Sequence, residues 1–99
     1  MGKRKIIVKQ SVANSIANIA FYIESKGMLL AAENFSDSIY DFFIKIADDN
    51  RTFSACRDIE HVIMGYKCIT FKKKYTVVMI ESETEITICE FISSKLIRW

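Results

Sequence analysis

The sequence predicts an α+β fold: a two-layer sandwich of order β-α-α-β-β-β, with a helical hairpin packed on a mainly antiparallel sheet. Three observations lead there. Apolar residues recur at helical spacing in two stretches between Ser11 and Asp49. β-branched and aromatic residues dominate three runs between Tyr66 and Ile92, and a short basic-flanked run, Lys5-Ile6-Ile7-Val8-Lys9, precedes everything. A hairpin with an apolar stripe needs cover, and a sheet has one face to give it. At 99 residues the chain fits one domain, 1–99, with a single core.

Each element follows from local chemistry. Lys5 to Lys9 is the first strand. Ser11 is placed to cap the first helix, because its hydroxyl can accept a bond from a free amide of the first turn. Val12, Ile16, Ile19 and Ile23 form one apolar face, and Ala13, Ala17 and Ala20 beside them permit close approach of a second helix. Lys26-Gly27 ends this helix, since glycine adopts the left-handed conformation favoured just past a C-terminus. The second helix starts between Met28 and Ala31, and its stripe is Ala31, Phe35, Ile39, Phe42 and Ile46. Leu30, Tyr40 and Phe43 widen that face, and Asp48-Asp49-Asn50 closes the helix. So short a connection makes the two helices antiparallel neighbours.

Residues 51–65 show no sustained period and read as a polar loop with room for one helical turn. Tyr66–Phe71, Tyr75–Ile80 and Thr84–Ile92 read as strands joined at Lys72-Lys73-Lys74 and Glu81-Ser82-Glu83, an antiparallel meander. Neither turn contains glycine or asparagine, so the sequence does not name its type.

Composition excludes several classes. A hydrophobic share of 51% and a charged share of 26% are those of an ordinary globular domain, not of a disordered chain. No apolar run approaches the ~18 residues that span a bilayer, so no membrane partner is expected. Only Ile6, Ile7 and Val8 follow the basic start, too few for an export signal, and the cytoplasm is the expected compartment. Cys56, Cys68 and Cys89, odd in number and without a Cys-x-x-Cys pair, read as three reduced thiols. His61 with Cys56 falls short of a metal-ligand set, and no cofactor motif is present.

The net charge of +2 is unevenly spread. Lys3, Arg4, Lys5 and Lys9 make the start basic, whereas six acids and two lysines fill residues 11–50. Arg51, Arg57, Lys67 and Lys72 to Lys74 make residues 51–80 basic again. If the N-terminal strand and the hairpin near Lys73 lie on one side, the chain has a basic face and an acidic helical face; the alternative is solvated surfaces with no partner.

Read as text, Ser11-Val12-Ala13, Ile19-Ala20-Phe21-Tyr22-Ile23 and Ala31-Ala32-Glu33-Asn34-Phe35 resemble the helical hairpin of the RelE/ParE superfamily, the toxins of bacterial type II toxin–antitoxin pairs. Gly65-Tyr66-Lys67 and Lys73-Lys74-Tyr75-Thr76-Val77-Val78 resemble that family's tyrosine–basic strands, and Glu90 to Trp99 resembles its C-terminus. The resemblance covers nearly the whole chain. It implies a toxin with a cognate antitoxin as partner. RelE-like members cut messenger RNA on the ribosome with basic side chains on the sheet; ParE-like members share the fold, lack that set, and poison DNA gyrase.

The departures favour the ParE-like branch. Lys67 matches one lysine of the ribonucleases and is the one catalytic candidate. The next alternating position is Ile69, the arginine expected after Tyr75 is Thr76, and Phe91 to Ser94 stand where arginine or histidine is expected. Cleavage by a 2′-hydroxyl needs a base, an acid and positive charge at the phosphate. Here only Lys67, with Lys95 and Arg98 more remote, offers any of these. A gyrase-binding surface is expected from the 51–64 loop (Arg51, Arg57, His61), the turn residue Lys73, and the terminal pair Arg98 and Trp99, since arginine and tryptophan are enriched in interface hot spots. Tyr22, one residue off the main stripe, is expected to pack. The alternatives are a ribosome-dependent messenger-RNA endoribonuclease and a non-toxic interaction module.

Overall fold

A computed structural model describes residues 4–48, 53, 55–56 and 59–96. The elements run β1 (Lys5–Val8), α1 (Gln10–Ser25), α2 (Leu29–Asp48), α3 (Ile59–Ile63), β2 (Lys67–Phe71), β3 (Tyr75–Glu81) and β4 (Glu85–Ser93), followed by a 3-10 turn, Ser94–Leu96. The strands form one sheet of order β1-β4-β3-β2. β2, β3 and β4 make the antiparallel meander, and β1 lies parallel to β4 with Lys5 opposite Glu85 and Val8 opposite Ile88. The helical hairpin packs on the sheet, as expected of an α+β sandwich.

The first helix starts earlier than Ser11. Lys9 donates its amide to the Ile88 carbonyl at 3.2 Å, which holds it extended (φ −63°, ψ 149°) as the last residue anchored to the sheet. Its own carbonyl then accepts the amides of Val12 and Ala13. Lys9 is therefore the N-cap, with no side-chain cap, and Ser11 lies inside the first turn. Strand docking, absent from any local pattern, overrides the capping preference.

Burial along α1 is graded. Val12 and Ile16 are buried, while Ile19 and Ile23 are half-buried. Gly27 has φ +81° as predicted, and the amides of Lys26 and Gly27 reach back to Ile23 and Glu24. On α2 the buried residues are Ala32, Ile39, Phe43, Ile46 and Ala47. The predicted stripe is corrected at the helix start: Ala31 and Leu30 are exposed, and so is Tyr40. There the hairpin has mainly its own partner helix for cover. An aromatic layer closes the other end of the core, with Tyr75 stacked on Phe91 at 4.8 Å and Phe42 against Phe71 at 4.9 Å.

Two local features depart from regular strand geometry. A bulge makes Cys89 the extra residue of β4, since Val78 faces Glu90 while Met79 faces Ile88. The β2–β3 turn has positive φ at Lys72 (53°) and Lys73 (61°), with the Lys74 amide bonded to the Phe71 carbonyl at 3.1 Å. These are the φ signs of a type I′ turn, which usually takes glycine or asparagine.

The second face of the sheet is covered in part. By strand alternation, Ile69, Val77, Met79, Ile88 and Phe91 face the helices, and Cys68, Val78 and Glu90 face away. Val78 is nonetheless fully buried. The segment before β2 is tied to this face on either side of Val78, at Cys68 and at Glu90. Ala55 forms an antiparallel bridge with Lys67, and Cys56 is disulfide-bonded to Cys68, their Cα atoms 4.9 Å apart. This corrects the reading of three reduced thiols. Only Cys89 is a free thiol. Twelve positions separate the paired cysteines, and only the fold-back of Ala55 along β2 brings them together.

Candidate functional site

Among the described residues, Lys67, His61 and Lys73 are not gathered into one site. Lys67 is half-buried at the start of β2, where alternation with Ile69 and Phe71 places it on the helix-facing side. His61 is on α3, over the opposite face: its Nε2 lies 3.7 Å from Glu90 Oε2 and its ring 5.4 Å from that of Tyr66. Lys73 is exposed in the β2–β3 turn, beyond the far end of β2 from Lys67, with about 13 Å of strand from Lys67 to Phe71 alone. Arg51, Arg57, Arg98 and Trp99 lie outside the described residues.

A different basic cluster forms at the turn end of the sheet. Lys73, Lys74 and Tyr75 meet Ser93, Ser94 and Lys95 around a cavity of about 270 Å³. The pairing of Tyr75 with Ser93 and the bond from the Ser94 amide to the Lys74 carbonyl (2.9 Å) hold these two segments together. Among the described residues, none of the three lysines has a carboxylate partner. Thr76, at the position where the resemblance expects arginine, is buried with its hydroxyl 2.9 Å from that of Ser94. The cavity can attract an anion through ammonium groups and serine hydroxyls. Among the described residues that line it there is no imidazole or carboxylate to act as a base.

The larger surface signal is apolar. Phe21, Tyr22, Met28, Leu29 and Leu30 are all exposed at the tip of the helical hairpin, Phe21 and Leu30 each at 70%. Tyr22 is therefore not a packing residue; its ring carries Lys26 Nζ at 5.2 Å. Between the two helices a groove of about 670 Å³ has a floor of Ala17, Ala20 and Ala32 and a rim carrying Glu24, Glu33 and Asp37. A second exposed group, Ile59, Val62, Ile63 and Met64, lies on and just after α3, inside the loop expected to bind a target. The hairpin-tip surface was missed in the sequence, although Met28-Leu29-Leu30 gave a signal. Three consecutive apolar residues span more than one helical face and cannot all point inward.

Among the described residues, no group of three histidines, cysteines or acids is placed to hold a metal ion, and no helix is long and apolar enough to cross a membrane. No protein-family model matches the chain, and no curated protein matches it.

Burial pushes the Cys89 thiol above its ordinary pKa, and the Glu90 charge adds to this, whereas Lys9 and a backbone bond to Ile80 oppose it. A thiol held protonated and buried in a strand is a poor nucleophile.

Proposed function

We propose that this chain is the toxin component of a type II toxin–antitoxin pair, that it acts by binding DNA gyrase, and that a cognate antitoxin silences it. The observation that carries the reading is the contrast between its surfaces. Large apolar side chains are exposed along the hairpin tip and α3, as expected of a protein-binding domain, while among the described residues no acid–base pair is assembled at Lys67 or in the basic cavity. The β-α-α-β-β-β order and the long hairpin support the same family resemblance. The hairpin groove suits an antitoxin helix with small apolar residues on one side and lysine or arginine flanking them, because its floor is alanine-rich and its rim acidic.

The test is a gyrase supercoiling assay with purified protein, scored for trapped cleaved DNA. Inhibition with accumulated cleavage complexes is expected, relieved by the product of the adjacent reading frame. Full supercoiling at micromolar protein would refute the gyrase target.

One observation favours a second reading, ribosome-dependent cleavage of messenger RNA: the unpaired lysines around the turn-end cavity could hold a phosphodiester. On that reading Lys95→Ala and Lys74→Ala abolish cleavage in a translation-dependent assay. Absence of cleavage by the unaltered protein rules it out.

A further inference from the structure

Cys68, Val78 and Glu90 stand side by side across β2, β3 and β4 on the face turned from the hairpin. The segment that precedes β2 holds both ends of this row. Cys56 is bonded to Cys68, and His61 sits on Glu90. Val78, between them, is fully buried yet lies outside the core cluster beneath the helices.

The covering segment contributes little packing of its own. α3 has five residues, none buried, and Ile59, Ile63 and Met64 are exposed by 69%, 77% and 64%. A helix of one or two turns does not persist alone in water. The bonds from the Met64, Gly65 and Tyr66 amides to Glu60, Val62 and His61 all stay within the segment and do not tie it to the sheet. Upstream, Phe53 is anchored in the main core, and downstream β2 is fixed to β3. α3 is therefore preceded by Cys56, held to β2 by the disulfide, and followed by β2 itself.

We infer that this disulfide is a reversible clasp whose reduction releases α3 from the second face of the sheet and uncovers Val78. The bond lies on β2, an edge strand, where a reductant can approach. Cys68 is half-buried and Cys56 nearly inaccessible, so a dithiol reductant attacks the Cys68 sulfur. Cys56 leaves as a thiolate and takes a proton, and the second thiol of the reductant then displaces the Cys68 sulfur, which is also protonated. The clasp gains two electrons and two protons, and the reductant becomes a disulfide. Cys89 remains buried on β4 and takes no part. The inference does not depend on the toxin reading.

The test is hydrogen exchange on the whole protein with and without dithiothreitol, alongside a thiol count in denaturant. The air-oxidised chain should show one free thiol, and the reduced chain all three. On reduction the amides of Met64, Gly65 and Tyr66 should exchange about tenfold faster or more, while those of β3 and β4 keep their protection. Reoxidation should restore the slow exchange. Cys89→Ser should preserve the switch, and the double variant Cys56→Ser/Cys68→Ser should show the reduced pattern without reductant. If that variant does not fold, reduction of the unaltered chain decides the matter. Three free thiols before reduction, unchanged exchange after it, or loss of protection across the whole sheet would each overturn the clasp.

Discussion

Replacing Val78 by alanine, with Val77→Ala as its partner, tests whether both faces of the sheet are sealed. The two valines are adjacent in β3, point to opposite faces and are both 0% exposed. Val77 lies under the helices, and Val78 lies under the segment clasped by Cys56 and Cys68. Each substitution removes two methyl groups, about 1.6 kcal/mol of transfer free energy, and the residual cavity raises the loss to about 2–3 kcal/mol. For a domain of this size that is a fall of about 10–20 °C in melting temperature. Urea denaturation of the oxidised variants should therefore give similar losses at the two positions. In the reduced protein the Val77 loss should persist, while the Val78 loss falls towards the ~0.5 kcal/mol typical of a surface position. A Val78→Ala loss below about 0.5 kcal/mol in the oxidised protein would refute the covered second face.

The clasp itself closes a separation of 12 residues, a constraint on the unfolded chain of up to about 3 kcal/mol. Because released α3 regains freedom in the folded state too, Cys56→Ser/Cys68→Ser should lower stability in urea by less, about 1–2 kcal/mol. Substituting Lys72→Asn and Lys73→Gly should stabilise the protein by about 1 kcal/mol or more, read as a higher melting temperature, because the lysines occupy left-handed positions. At Gly27 (φ +81°) an added Cβ meets nothing within 4 Å, so Gly27→Ala should cost only the conformational penalty, about 1 kcal/mol by denaturation. Cys89 should alkylate slowly in the folded protein. Since its folded pKa is raised, its contribution to stability is present below the free thiol's pKa and is lost as pH rises through the folded value. Denaturation midpoints should accordingly drift down on the alkaline side in the unaltered protein, and less so in Cys89→Ser.

The layer order and the helical hairpin could be read from Val12, Ile16, Ile39 and Ile46 because helical spacing is local information. Strand placement was readable within a residue or two for the same reason. What escaped was set by contacts distant in sequence. Lys9 became the N-cap because the Ile88 carbonyl holds it, and Cys56 met Cys68 because Ala55 folds back along β2. The left-handed lysines of the turn carry no glycine or asparagine to announce them. Of the expected site, Lys67, His61 and Lys73 stand apart, since β2 separates two of them lengthwise and the sheet itself separates His61 from Lys67. The basic cavity joins Lys74 to Lys95 through the Tyr75–Ser93 register, which no spacing within either segment reveals.

The place of β4 bears on how the molecule is made. β4, which follows the other three strands in the sequence, is an interior strand of the sheet, with β1 on one side and β3 on the other. Arg4 meets Glu81 across 77 positions at 2.8 Å, and Lys5 waits for Glu85. During synthesis, at about 5–20 residues per second, β1 has no neighbour for several seconds. Until β4 arrives, the apolar side of the hairpin also lacks the strand against which α1 packs. A chain interrupted before Glu85 would hold the hairpin helices and three strands, yet only β2 and β3 could pair, and β1 would have no neighbour.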